Sequence, residues 1–149
     1  MYQKVIVLMA TYNGEKYLSQ QIDSIINQQN VDLKLIVSDD GSHDKTVSII
    51  KNEYPLVPIS INSPGSGSAA KNFLRMVENL NFQEKFDYVA FSDQDDVWLT
   101  EKMKVAVDFL EKNNASLYCS NLTKWDISDN TFSLLKKDYS QKKFDFLFE

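Results

Sequence analysis

Five consecutive apolar residues, Val5-Ile6-Val7-Leu8-Met9, constrain this chain more than any other feature. A strand of this kind has no polar face to offer to water, so both of its faces must be covered. Helices packed on either side of a mostly parallel sheet supply that cover. The rest of the pattern agrees. Leu18, Ile22, Ile25 and Ile26 recur at the spacing of one helix face. Residues 33–37 read as a second strand, and Ser42 or Asp44 is placed to cap a helix over about 45–53. Pro55 and Pro58 mark a short third strand, 57–61, and a loop of Ser, Pro and Gly follows at 63–68. A third helix has Phe73, Leu74, Val77 and Leu80 on one side. A fourth strand at 88–91, a fourth helix carrying Met103, Val107 and Leu110, and a fifth strand at 116–120 complete the alternation. The expected fold class is α/β, with right-handed crossovers. Past Asn121 the pattern weakens.

In such sheets ligands bind beyond the carboxyl ends of the strands. Three polar clusters fall there: Thr11-Tyr12-Asn13-Gly14 after the first strand, Asp39-Asp40-Gly41-Ser42 after the second, and Asp93-Gln94-Asp95-Asp96 after the fourth. Like charges crowded on one rim repel, so this edge calls for a cation or a donor-rich ligand. Asp93 and Asp95, two apart, share a face if the strand persists, and two carboxylates suit a hard cation such as Mg²⁺ or Mn²⁺. An ionised Asp39 or Asp40 only accepts hydrogen bonds, which fits the N–H of a pyrimidine ring or a ribose hydroxyl. The ring of Tyr12 is expected near such a base, and Gly41 lets the backbone turn away.

Each cluster has a plainer reading. Asp-Asp-Gly-Ser makes a turn, and acids at 93–96 suit a helix N-terminus. His43, the sole histidine, reads as a solvated loop residue. Trp98 reads as a packing anchor beneath the acidic loop, and Lys71 and Arg75 lie one helical turn apart, facing either phosphate or water.

Taken together, VIVLMATYNGEKYLSQQIDSI, LIVSDDGSHDKT and YVAFSDQDDVWLTEKM resemble the inverting glycosyltransferases of family 2, which have the Rossmann-like GT-A fold. The run Ser92 to Trp98 and the segment Ala70-Lys71-Asn72-Phe73 look most like the rhamnosyltransferase branch, which builds bacterial cell-surface polysaccharide. The resemblance implies that residues 1–122 bind a sugar nucleotide and that 123–149 begin an acceptor-side region. It places Thr11, Tyr12, Asn13, Asp39, Asp40, Lys71 and Asp93 along the nucleotide. Asp93 and Asp95 fall in its metal motif, holding Mg²⁺ or Mn²⁺. The implied donor is a dTDP- or UDP-linked sugar, and the implied acceptor is a saccharide or a lipid-linked saccharide. The family's general base belongs to a later motif than any in this chain. Asp126, Asp129, Asp138 and Asp145 match no copy of it, so no base is assigned and the chain reads as a partial enzyme.

Composition narrows the alternatives. Sixteen Lys and Arg against 21 Asp and Glu give a net charge of -5, which disfavours a nucleic-acid partner. The single cysteine, Cys119, excludes an internal disulfide, favours a reducing compartment, and is expected as a buried thiol in an apolar run. No signal peptide is expected, and Val5 to Ala10 is too short to span a bilayer. A cytoplasmic location is expected, with any membrane contact peripheral, at the inner face. Two rivals differ in class. A non-catalytic nucleotide-sugar-binding module would bind without turnover. A phosphoacceptor signalling domain needs an acid at the end of the third strand, where this chain has Ile61-Asn62-Ser63.

Overall fold

A computed structural model describes residues 2–135; Asp138 and Asp145 lie outside the described residues. Four parallel strands form the sheet in the order β3-β2-β1-β4: β1 (Lys4–Thr11), β2 (Asp32–Asp39), β3 (Ile59–Ile61) and β4 (Tyr88–Ser92). The helices are α1 (Leu18–Ile26), α2 (Thr46–Glu53), α3 (Ala69–Glu78) and α4 (Lys102–Asn113). The all-apolar run is the inner strand β1, buried from Val5 to Thr11. Val5, Val7 and Met9 point to one face, where Leu18, Ile22 and Ile25 of α1, Ile50 of α2 and Met103 and Val107 of α4 pack. Ile6 and Leu8 point to the other, against Met76 of α3 with Phe73, Val77 and Leu80. Period-2 alternation thus serves two cores, and burying each of these side chains contributes about 1.5–3 kcal/mol.

Five expectations need correction. Ile26 is 47% exposed, roughly 90° round from the centre of the buried face of α1, which Leu18, Gln21, Ile22 and Ile25 form. Leu74 is 62% exposed, not on the inward face of α3. That face is formed by Asn72, Phe73, Met76 and Val77, and Leu74 lies roughly 130° round from its centre at 3.6 residues per turn. The third strand starts at Ile59, since Pro58 has no N–H to donate; its carbonyl accepts from Val37 N at 2.9 Å. Residues 116–120 form no strand. Asn114 ends α4 in the left-handed conformation (φ 48°), and pairing resumes only in an antiparallel hairpin, β5 (Leu122–Asp126) with β6 (Thr131–Leu135). Three apolar residues in that run cannot bury themselves without a sheet neighbour. Tyr118 meets Phe109 with ring centroids 5.4 Å apart, but Cys119 is exposed rather than buried.

In the hairpin, Trp125 stacks on Phe132 at 5.7 Å. Asp126 and Asp129 hold its turn by accepting from Ser128 and Thr131. Among the described residues no helix is long and apolar enough to cross a membrane.

Candidate functional site

Strand register brings the polar clusters together. Thr11 lies opposite Asp39, Asp39 opposite Ile61, and Met9 opposite Ser92, so all four strands end on one edge. The loops beyond them enclose a cavity of about 660 Å³, lined by Thr11, Tyr12, Asp40, Asn62, Asp93 and Asp95 among others. That volume lies in the range of small-molecule sites, about 300–1,000 Å³. Asp40 and Asp95, 55 positions apart in the chain, face the same space.

The two acids of the second cluster differ in kind. Asp39 is fully buried, and its carboxylate accepts from Thr11 Oγ1 (3.0 Å), Ser42 Oγ (2.5 Å), Ser42 N (2.8 Å) and Gly41 N (3.1 Å). It is absent from the cavity wall and supports the loop from beneath, while its neighbour Asp40 lines the cavity. Gly41, at φ 86°, makes the turn that lets both backbone N–H groups reach it.

Asp40 lines the cavity, and its carboxylate ties down the loop after β3. It accepts from Ser66 N (2.5 Å), Ser66 Oγ (2.9 Å), Gly67 N (3.0 Å) and Asn62 Nδ2 (3.3 Å). Partial burial pushes its pKa up, but these donors outweigh that and bring it below the usual 3.8. A lowered folded-state pKa contributes stability present above the unfolded value and lost as pH falls through the folded one. Asp40→Asn is therefore expected to lose less stability than the parent between about pH 5 and pH 3, read from urea midpoints. Asp44 is lowered too, but it is common to both proteins and cancels.

Behind Asp40 stands a buried polar chain. Asn72 of α3, 1% exposed, donates to the Ser38 carbonyl (2.8 Å) and accepts from Ser38 Oγ (2.6 Å) and Asn62 Nδ2 (3.0 Å). Lys71, next to it, is exposed and does not line the cavity. Asn13 is also outside the lining. At φ 49°, it donates from its N–H to Ser42 Oγ and accepts from His43 N, joining the first two loops.

The acidic loop is not a helix cap, because α4 begins only at Lys102. It is held from below by α1. With its amide oriented so that oxygen meets donors and nitrogen meets acceptors, the buried Gln21 side chain accepts from Trp98 Nε1 and Ser92 Oγ and donates to the Asp96 carbonyl, while Ser24 Oγ accepts from Trp98 N. Trp98 is 6% exposed and sits in the core, as expected. Burial, then Asp96 and Asp95, raise the Asp93 pKa above the usual carboxylate range. Burial and Asp95 raise that of Asp96, against the pull of Lys102. A cation would relieve this repulsion.

Among the described residues no three His, Cys, Asp or Glu side chains gather as a ready-made metal cage. Asp93 and Asp95 alone fit the way Mg²⁺ is usually held, by one or two carboxylates with the remaining positions left to water and phosphate oxygens.

Sequence reasoning missed His43, Asn62, Asn72 and Gln94, all of which line the cavity. Asn62 could have been found by the strand-end rule, since it follows β3 directly. Gln94 lay within the acidic strand-end cluster, and His43 and Asn72 within segments that carry the family resemblance, but nothing local marked these three as cavity residues.

Comparison with known proteins adds independent findings. Residues 6–148 match the family described as glycosyl transferase family 2. A dTDP-rhamnosyl transferase, RfbG of Shigella flexneri, is 42% identical over 95% of this chain and 50% of its own. The chain thus spans about half the length of that relative. The crystal structure of residues 1–349 of Staphylococcus aureus TarS in complex with UDP matches with a TM-score of 0.62 and 26% identity, over 75% of this chain and 33% of that one. The mannosyltransferase PcManGT of Pyrobaculum calidifontis, in complex with GDP-Man and Mn²⁺, matches with a TM-score of 0.60 and 21% identity, over 74% and 33%. That likeness is one of fold.

Proposed function

The chain belongs to glycosyl transferase family 2, and from that premise we propose that its cavity holds a nucleoside diphosphate-sugar, dTDP- or UDP-linked, as donor for sugar transfer with inversion. The observation that carries the reading is that Asp40 and Asp95 line one cavity at the carboxyl ends of parallel strands. The bound UDP of TarS and the rhamnosyl donor in the name of RfbG support the donor class and make rhamnose the leading sugar. The acceptor in this reading is a saccharide or lipid-linked saccharide of a growing cell-surface polysaccharide, met in the cytoplasm or at the inner face of the membrane.

Roles follow from position. Thr11 and Tyr12 flank the nucleoside, with the half-exposed Tyr12 ring offered to the base. Asp40 faces the base end, and Asp39 and Asn13 keep that loop in shape from outside the cavity. Lys71, on the exposed side of α3, acts only on phosphate reaching beyond the cavity. Asp93 and Asp95 hold Mg²⁺ or Mn²⁺ at the diphosphate. When bound, that cation supplies Lewis-acid stabilisation of the departing diphosphate. No general base is assigned.

Mixing the protein with Mn²⁺ and UDP or dTDP tests this. At a ligand concentration of about 100 Kd, binding adds about 2.7 kcal/mol. The melting temperature should then rise by roughly 5–15 °C. No rise with any nucleoside diphosphate, with either metal, overturns the proposal.

A further inference from the structure

Gln94 stands between the two proposed metal ligands, yet its side chain does not face a ligand position alone. Its Oε1 accepts from Tyr12 N (2.9 Å) and its Nε2 donates to the Tyr12 carbonyl (3.0 Å). The amide thus copies a strand pairing with one side chain. Ladder pairing of β1 with β4 ends at Met9 and Ser92. Beyond that point the Gln94 amide joins the exit of β1 to the acidic loop. On its other side the β1 exit is already fastened to the loop after β2 through Asn13 N to Ser42 Oγ (2.8 Å), and to the start of α2 through Gly14 N to Thr46 Oγ1 (2.8 Å).

A further observation shows that the fit is close: a Cβ on Gly14 would collide with the Gln94 side-chain amide, so glycine there leaves the amide its place.

We propose that Gln94 is a positioning residue that locks the acidic loop to the Tyr12 backbone, making the base side and the metal side of the cavity one rigid unit. This rests on the donor-binding reading above. It follows that nucleotide and metal strengthen each other's binding, and by linkage equally in both directions. Weakening the tie weakens that coupling.

Two variants of the full chain test it, Gln94→Ala and Gln94→Asn. Asparagine keeps an amide but is one methylene too short to reach both Tyr12 groups. Both variants should keep the ligand-free melting temperature within a few degrees. Both should raise the Mn²⁺ concentration that half-saturates the UDP-dependent thermal shift by about tenfold, the size of effect seen for groups that orient metal ligands. Hydrogen exchange at the Tyr12 amide, measured without ligand, should quicken by at least about tenfold. A wild-type Mn²⁺ midpoint and wild-type Tyr12 exchange in both variants overturn the inference. Should the parent protein itself show no UDP shift, the donor reading fails, while the exchange measurement still decides whether Gln94 holds the loop.

Discussion

Replacing Asp39 by alanine is expected to lower the unfolding free energy by about 3–5 kcal/mol, a large part of the roughly 5–15 kcal/mol that holds a domain together. The carboxylate is fully buried and satisfies two hydroxyl and two backbone donors. Alanine leaves all of them without an acceptor, and hydrogen bonds to a charged group count for more than neutral ones. Asparagine should cost less, about 1–2 kcal/mol. Its carbonyl can keep Gly41 N and Ser42 N, while its NH₂ turns towards Thr11 Oγ1 and Ser42 Oγ, and hydroxyls can rotate to accept. The measurement is a pair of urea titrations in which the midpoint moves and the slope does not. If alanine cost less than about 1 kcal/mol, the buried-support role of Asp39 would be wrong. If both variants cost the same, the charge rather than the acceptor geometry would be what matters.

Asp95→Asn should behave in the opposite way, removing binding while sparing the fold. Loss of this proposed metal ligand is expected to weaken Mn²⁺ by at least about 100-fold, so that the metal-dependent part of the UDP or dTDP thermal shift disappears. Ligand-free stability should hold or rise slightly, because Asp95 is one of the groups pushing Asp93 and Asp96 above their usual pKa range. This opposition of signs separates a ligand-binding acid from a structural one, and Asp39 and Asp95 are the pair on which it is plainest. A full metal-dependent shift in Asp95→Asn would remove that residue from the proposed metal site. A marked drop in ligand-free stability would make it structural.

What could be read from the chain alone was what local periodicity encodes. The unbroken run from Val5 to Met9 required two covered faces, and β1 has them. The i, i+4, i+7, i+8 spacing of Leu18, Ile22, Ile25 and Ile26 required a helix with one buried side, and α1 is that helix, although Ile26 falls outside the buried side. The strand-end rule picked out three clusters, of which Thr11, Tyr12, Asp40, Gly41, Asp93, Gln94 and Asp95 line one cavity while Asn13, Gly14, Asp39, Ser42 and Asp96 stand outside its lining. The resemblance to family 2 was carried by those same segments, and the family match agrees with it.

Tertiary structure alone decided the rest. Asp39 and Asp40 are neighbours of one type, yet one is enclosed by Thr11 and Ser42 and the other is met by the loop at 62–67. Gly41 and Ser42 are local donors to Asp39, but Thr11 lies 28 positions from it and every donor to Asp40 lies 22 to 27 positions away, beyond any window of local sequence. Gln94 finds its partner 82 positions back, and Asn72 finds Ser38 34 positions back. The stretch 116–120 reads as a strand by composition, but a strand exists only where another offers its edge, and here the pairing falls instead to the hairpin of β5 and β6. Periodicity tells a residue which way it faces along its own element; hydrogen-bond partners and strand neighbours are set by how distant elements come to lie together.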